Sequence, residues 1–402
     1  MSSCSPMISC EEAFGMVDAR TPVACVGVES LPVRRAAGRV LARDQVSCVD
    51  LPPFNKSAMD GFAISEGDLS EQYRVIETIA AGQVGQQSLT AGTCVKVMTG
   101  AAVPSETGCV IRIEDVEERD GRIRVLSREG VSNICQRAED VKRGETVLRC
   151  GTLLGPLEVS NLVSCGVSEV EVFRKVRVAV ISTGDEIVDD ARLLGPGKIM
   201  NSNGPLLAGL CEESCLEVVG NQTVADDKGA ITDALRTALS RADIVALSGG
   251  VSVGEFDFVL DAIAGVGLDV NFTRVAVKPG KPTTYASAPD KAVFGLPGNP
   301  VAVYLMFHLF VHRAACLMSG RSCDRGLTLA LAGDFKRRKT ERAAFVPCRL
   351  TDDGCVEEVV YHGSAHLAAL MQADGFFIVP VTVAELRNGE RVTFVPTARR
   401  WS

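Results

Sequence analysis

The feature that most constrains this chain lies between residues 176 and 318, where short apolar runs alternate with segments of helical spacing. The runs are Val176 to Ile181, Asp243 to Leu247, Arg274 to Val277 and Ala292 to Gly295. Such alternation predicts a parallel sheet covered by helices on both faces. Each run ends in a loop rich in glycine, proline or charge: STGDE at 182–186, SGGVSVGEFD at 248–257, KPGKP at 278–282 and LPGNP at 296–300. Ligands of open α/β sheets bind outside the carboxyl ends of the strands, so these four loops are the expected site. Helices are expected after Asn203-Gly204 and after Asn299, where Pro205 and Pro300 suit a first helical position.

The flanking sequence has other textures. Residues 9–46 have helical spacing at Ala13, Phe14 and Val17 and then a turn at Gly38 into Val40 and Leu41. From 47 to 140 short apolar alternations are separated by glycine turns, which predicts a small β-rich domain. Helical spacing returns at Pro156 to Cys165, with Gly166 as its stop. After 326 the chain reverts to short strands: Leu327 to Leu331, Val356 to Tyr361, Phe376 to Val379 and Val392 to Val395. The reading is an α/β multidomain protein: a helical linking domain (1–46 and 141–172), an inserted β-rich domain (47–140), an α/β domain (173–325) and a C-terminal β domain (326–402).

Composition narrows the function classes. With 46% hydrophobic residues in 402, the chain can bury large cores. A net charge of −8 gives no long-range attraction for polyanions, and no nucleic-acid or membrane partner is expected. The basic run Lys336, Arg337, Arg338 and Lys339 reads as a solvated turn. No basic segment precedes an apolar one at the N-terminus, so the chain is expected in the cytoplasm. The apolar stretch Val301 to Val311 is too short for a membrane span and reads as a buried helix. The fifteen cysteines include no CxxC pair and are expected to be mostly reduced and packed, as are Cys211 and Cys215. The pairs His308/His312 and His362/His366 lack the acidic third ligand of a zinc helix and read as core or surface residues.

The loops share a chemistry. Gly249, Gly250 and Gly298 let backbone N–H groups approach an anion, the helix after Asn299 offers its positive end, and Lys278 and Lys281 add full charges. Asp185, Glu186, Glu255 and Asp257, with Asp226 and Asp227, supply hard oxygen ligands that suit Mg²⁺ beside a phosphate. Two further loops have special backbone: LPPFNKSAMDGFA at 51–63 presents Asp60 beside Gly61, and VMTGA at 97–101 presents Thr99 beside Gly100.

These segments, together with AEDVKRGE (138–145), GLPGNPVAV (295–303) and HGSAH (362–366), occur in the order found in the molybdenum insertases of the MoeA type, the family that includes the E domain of gephyrin. The sequence resembles that family from about residue 9 to residue 398. The resemblance implies a molybdopterin-binding α/β domain and a homodimer whose cleft draws on both subunits. It implies a transferase that uses Mg²⁺ and molybdate to convert adenylylated molybdopterin to molybdenum cofactor and AMP. Transient contact with the pterin adenylyltransferase and with apo-molybdoenzymes or their chaperones is also implied. Carried over by motif, Asp60, Thr99, Asp140, Glu186 and Asp257 are the catalytic residues, with Glu186 and Asp257 holding the metal. Substrate contacts fall to Ser182, Thr183, Gly184, Asp226, Asp227, Ser248, Gly249, Gly250, Ser252, Arg274, Pro297, Gly298, Asn299 and Pro300. Lys278, Lys281 and Ser364 are assigned to molybdate.

The chain departs from the pattern at three positions. Ala138 stands where a glycine usually precedes Glu139-Asp140, and Lys175 replaces a proline before the first strand. A family arginine corresponds to Pro347, leaving Arg342 and Arg349 as its candidate replacements. An adenylyltransferase acting on the same pterin would share the α/β domain but lack the 51–63 loop. A receptor-clustering scaffold of this fold would carry an extra domain and a long linker.

Overall fold

The computed structural model describes residues 6–128, 130–250, 258–323, 326–361, 363 and 367–397. It divides into two compact units, one of Met1–Glu29, Gly38–Ala42 and Val172–Ser402, the other of Ser30–Ala37 and Arg43–Glu171.

In the first unit the alternating segment folds as β1 (Arg177–Thr183), α1 (Asn203–Glu213), β2 (Glu217–Val224), α2 (Lys228–Leu239), β3 (Ile244–Ser248), α3 (Phe258–Gly265), β4 (Asp269–Phe272), β5 (Thr284–Ala288), β6 (Lys291–Leu296) and α4 (Pro300–Met306). The sheet order is β2-β1-β3-β6-β5-β4. β2, β1, β3 and β6 run parallel, and β5 is antiparallel to both β6 and β4. The expected parallel sheet is therefore extended by a hairpin at one edge. Alternate residues face opposite sides, so Ala179, Ile181, Val245, Leu247 and Val293 meet Ile231, Leu235, Val259 and Ile263 from α2 and α3. Each large aliphatic side chain buried there contributes about 1.5–3 kcal/mol relative to exposure.

The third expected strand belongs elsewhere. Val277–Lys278 pairs in parallel with the Ala343–Leu350 strand of the C-terminal β domain, not with the α/β sheet. Apolar periodicity fixes which face of a strand is buried but not which sheet it joins, and Pro279 stops the run after two residues. In the C-terminal domain Ala343–Leu350 lies between Val356–Glu358 and Gly375–Val379. The latter pairs with Arg391–Pro396, then Leu327–Ala332, then back to Val356–Glu358, closing the sheet around Leu331, Val346, Phe377 and Phe394. Pro347 sits within the Ala343–Leu350 strand, and its carbonyl accepts from Val359 N–H at 2.8 Å. A proline in mid-strand is what hid this element from the pattern.

α4 continues through a π turn (Phe307–Val311) into α5 (His312–Met318). The resulting helix Pro300–Met318 is long and apolar enough to cross a membrane by length and composition, which the shorter stretch ending at Val311 was not. Of its most apolar window, 78% is buried inside the protein, as a core helix requires. At the N-terminus a reciprocal cap starts the helix Cys10–Arg20: Ser9 Oγ accepts from Glu12 N–H and Glu12 Oε2 from Ser9 N–H.

The second unit holds a six-stranded sheet in the order Thr107–Arg112, Gly61–Ser65, Thr93–Val97, Gln72–Ile79, Arg122–Val125, Val116–Arg119. Both of its faces are packed, with Ala63, Val95 and Val110 on one and Phe62, Ile64 and Cys94 on the other. The helix Pro156–Ser164 ends as expected, with Gly166 at φ 76°.

A buried ion pair fixes the start of β3. Arg174 donates to both oxygens of Asp243 at 2.7 Å, and Arg177 N–H adds a third bond at 2.8 Å. Burial alone would raise the Asp243 pKa, but these donors outweigh it and hold the carboxyl below its ordinary range. We expect Asp243→Asn to cost about 3 kcal/mol, the low end for a broken buried pair because Arg174 is 28% exposed. A depressed carboxyl contributes stability above its unfolded pKa and loses it as pH falls through the folded value. Urea melts of parent and variant should therefore converge toward acid pH, and a constant gap would contradict the charge argument.

Candidate active site

The carboxyl edge of the α/β sheet is built by close backbone approach. A Cβ on Gly249 would stand 2.2 Å from the Thr183 carbonyl oxygen, and one on Gly250 would stand 2.8 Å from Thr183 Oγ1. Both glycines have positive φ, 93° and 62°. Gly249 N–H donates to Leu296 O at 3.2 Å, so the loops after β1, β3 and β6 are drawn together. Ser182, Thr183 and Ser248 are buried at this edge, where Ser248 Oγ donates to Ser182 Oγ at 3.4 Å. Thr183 Oγ1 donates to Asp226 Oδ1 at 2.8 Å, and Asp226 N–H reaches Asp185 Oδ1 at 3.2 Å. The Glu186 carboxylate lies over Gly184, within 2.9 Å of where a Cβ would be.

The expected acids thus separate by role. Asp226 faces the edge, while Asp227 caps α2, its Oδ1 accepting from Ala230 N–H at 2.8 Å. Asp227 is thus engaged as a helix cap through one of its two oxygens. Asp257 and Ser252 lie outside the described residues, as does Ser364. Two asparagines were missed. Asn201 accepts from Gly204 N–H at 2.9 Å and from Ser182 Oγ at 3.2 Å, and donates to Thr223 Oγ1 at 3.0 Å. Asn203 donates to Gly298 O at 2.8 Å, while its buried Oδ1 has no hydrogen-bond partner among the described residues. A buried acceptor left open costs about 1–3 kcal/mol unless a ligand or water fills it. The NSNG run was the available signal, read only as a helix start.

Beside this edge opens a cavity of about 620 Å³, lined by Lys278, Lys281, Pro297 and Asn299 from the loops and by Arg338, Arg342 and Tyr361 from the C-terminal domain. Gly298 and Pro300 flank the lining residues Pro297 and Asn299, Pro300 as the first residue of α4. Arg274, expected at the substrate, is not among the lining residues. Three of the four residues of the basic run expected to be a solvated turn, Lys336, Arg337 and Arg338, also line the cavity, which corrects that reading for them. Its members differ: Arg337 is spent on the carbonyls of Val383, Arg342 and Pro380, and Lys336 pairs with Glu385 at 3.1 Å. Lys278, Lys281 and Arg338 have no ion-pair partner among the described residues. Arg342 touches the Val277 carbonyl at 3.3 Å, whereas Arg349 pairs with Glu357 at 2.6 Å away from the cavity. Of the two candidate replacements, the one at the cavity is Arg342.

In the second unit the two special loops meet. Asp60 Oδ1 accepts from Thr99 N–H at 2.7 Å and Thr99 Oγ1 at 3.1 Å. A Cβ on Gly61 would stand 2.1 Å from Ile111 O, so only glycine fits beside Asp60. Asp140 is exposed on a neighbouring loop, its N–H bonded to Leu51 O at 3.0 Å.

The sequence matches three family models: the MoeA N-terminal region (domain I and II) over residues 8–166, a probable molybdopterin binding domain over 179–315, and the MoeA C-terminal region (domain IV) over 328–397. It is 33% identical to a molybdopterin molybdenumtransferase of Staphylococcus epidermidis, over 90% of this chain and 89% of that one. The chain belongs to the MoeA family. A Haemophilus influenzae molybdopterin molybdenumtransferase is 32% identical over 92% of this chain and 93% of its own. The crystal structure of the Pyrococcus horikoshii molybdopterin biosynthesis MoeA protein superposes with a TM-score of 0.84 at 30% identity, covering 97% of this chain and all of that one (100%). Against the MoeA pattern, Ala138 takes φ 61°, the conformation that the usual glycine would adopt without strain.

Gly249 and Gly298 give a paired test of the edge. An alanine at 298 would meet only Gly249 Cα at 4.0 Å, against 2.2 Å to a carbonyl oxygen at 249. We expect Gly249→Ala to destabilise the chain by more than ~2 kcal/mol, as steric and positive-φ strain combine, and Gly298→Ala to change it by less than ~1 kcal/mol. Equal urea midpoints for the two variants would contradict the close-approach argument.

Proposed function

We propose that the chain is a molybdopterin molybdenumtransferase, which transfers molybdenum from molybdate to adenylylated molybdopterin, forming molybdenum cofactor and releasing AMP. The observation that carries this reading is the cation-lined cavity opening beside a glycine-built phosphate edge. The backbone N–H groups of Gly250 and Gly298 suit the phosphates, Gly249 N–H being taken by the Leu296 carbonyl, and α4 adds its positive end. Lys278, Lys281 and Arg342 suit a tetrahedral dianion, which needs several charge-assisted donors at once. A molybdate oxygen then serves as the nucleophile at the adenylyl phosphorus. The P–O bond to the pterin phosphate breaks, leaving an adenylyl molybdate from which the two dithiolene thiolates displace AMP as the Mo–S bonds form, and no side-chain nucleophile is required.

Asp185, Glu186 and Asp226 offer carboxylate oxygens at this edge, a donor set that fits Mg²⁺, which favours one or two carboxylates, phosphate oxygens and water. Glu186 and Asp257 are the proposed direct ligands. Bound Mg²⁺ would neutralise charge on the phosphates. We further propose a homodimer in which Asp60 and Thr99 serve the partner's site. The Thr99 donors orient the Asp60 carboxylate, leaving its second oxygen for substrate. The proposed setting is the cytoplasm.

Lys281→Ala and Arg342→Ala should each raise the molybdate concentration for half-maximal AMP release by roughly 10- to 150-fold, at ~1.5–3 kcal/mol per charge-assisted contact and ~1.4 kcal/mol per tenfold. Arg349→Ala should leave it unchanged because Glu357 already holds that side chain. A large effect of the Arg349 change alone would reject this assignment of the anion pocket.

Mixing Asp60→Ala chains with Lys281→Ala chains, at a molybdate concentration low enough that neither variant alone turns over appreciably, tests the shared site. Hybrid dimers carry one intact pair of contributions, so activity should return toward a quarter of the parent value at most. Complete absence of recovery, with dimers confirmed by light scattering, would rule out sharing.

A further inference from the structure

The end of the long core helix carries a cluster that the proposed reaction does not use. His312 and Cys316 are four residues apart on α5 and so share one face. The chain then reverses: Gly320 takes φ 68°, and Arg321 N–H returns to Cys316 O at 2.9 Å. That reversal carries Cys323 back beside the helix. Cys316 Sγ lies 3.6 Å from His312 Nε2, Cys323 Sγ lies 4.0 Å from His312 Nδ1, and the three ligand atoms are all within 4.8 Å of one another.

A tetrahedral Zn²⁺, with Zn–S of about 2.3 Å and Zn–N of about 2.0–2.1 Å, holds its donor atoms about 3.5–3.8 Å apart. The two His–Cys separations are thus within a few tenths of an ångström of that range, the widest separation in the cluster exceeds it by no more than about 1 Å, and a turn of the imidazole points one nitrogen at both sulfurs. Packed core cysteines need no such convergence, and they are seldom accompanied by a half-buried histidine. His312 and Cys323 are half-buried while Cys316 is buried, so an ion can enter from one side. A second cavity, of about 370 Å³, reaches Cys323 and is lined also by His308, Asp18 and Arg313. His308 Nε2 is buried and has no hydrogen-bond partner among the described residues. Asp18 holds the Arg313 guanidinium at 2.6 Å through both oxygens, which offsets one of the two cations, Arg313 and Arg321, that would oppose a metal there.

We propose that His312, Cys316 and Cys323 form a binding site for a single Zn²⁺ ion, with the fourth position filled by water from this cavity. Two thiolates and an imidazole select a soft or borderline d¹⁰ cation over Mg²⁺, whose hard-oxygen preference suits the carboxylates at the sheet edge. No ligand of this site lines the cavity that holds Lys281. The ion would tie the end of the core helix to the segment that leads into the Leu327–Ala332 strand, a structural clamp rather than a part of the transfer reaction.

The test uses the full chain, reduced and stripped of metal, titrated with Co²⁺ as a spectroscopic substitute for Zn²⁺. One equivalent should produce thiolate-to-metal charge-transfer absorption with tetrahedral ligand-field bands, and Zn²⁺ should displace it and raise the melting temperature. Cys323→Ser should lose the bands, and His312→Gln should lose most of the affinity. Both changes are at half-buried positions, and circular dichroism would establish that each variant is folded. If one variant fails to fold, the other decides. No charge-transfer band in the reduced parent, or the same band at the same affinity in either folded variant, overturns the site.

Discussion

The approach of Gly249 to the Thr183 carbonyl is the contact on which the candidate site depends. Backbone meets backbone there with no room for a Cβ, and the loops after β1, β3 and β6 come within hydrogen-bond reach of one another. Every donor at the edge inherits its position from that contact. Thr183 Oγ1 is fixed by Asp226 and Asn203 by the Gly298 carbonyl, and the first turn of α4 closes on the Asn299 carbonyl, which accepts from Ala302 and Val303 N–H at 3.0 Å. The hydrophobic layers behind them supply rigidity, since Ile181, Leu247 and Val293 are fully buried just behind the edge residues. An anion site made of backbone N–H groups needs such a frame, because no side chain can adjust to correct a misplaced peptide.

The cavity beside this edge draws on a different physics. Lys278 enters it at the end of a two-residue strand that pairs with Ala343–Ala344, so one hydrogen-bonded ladder sets both the lysine and the C-terminal wall. Arg337 shows how the same wall is kept from collapsing. Its guanidinium is saturated by three carbonyls, and burial lowers its pKa, so it acts as a brace. Its neighbour Arg338 is exposed at the lining and available. Adjacent arginines in one run therefore do opposite work, one holding backbone and the other facing ligand.

What was legible in the sequence follows from this division. Glycine loops after apolar runs announced the close-packed edge of the α/β sheet, because a close approach leaves its mark in residue type. The pairing of Val277–Lys278 was not legible, since alternation is silent about partner strands. Nor was the use of residues 336–339, because a charge run has the same appearance whether carbonyls or solvent receive it. Asp226 and Asp227 are indistinguishable as letters, and only the cap at Ala230 separates them. The His312, Cys316 and Cys323 cluster escaped a search for CxxC because its third member returns across a turn. Asp60 and Thr99 were each read as a residue in a rigid loop, and the bond joining them spans 39 residues.

A chain of net charge −8 that gathers cations in one cavity also separates local from global electrostatics. At physiological ionic strength charges are screened over about 8 Å, so distant surface carboxylates contribute little to an anion already at the cavity mouth. The lining charges act at short range and partly out of water, where each is worth more. Glu358 lines the same cavity, and partial withdrawal from solvent raises its pKa. The overall acidity of the chain therefore discourages polyanions, while the anion site proposed above rests on a handful of side chains on two short loops and one wall of the C-terminal domain.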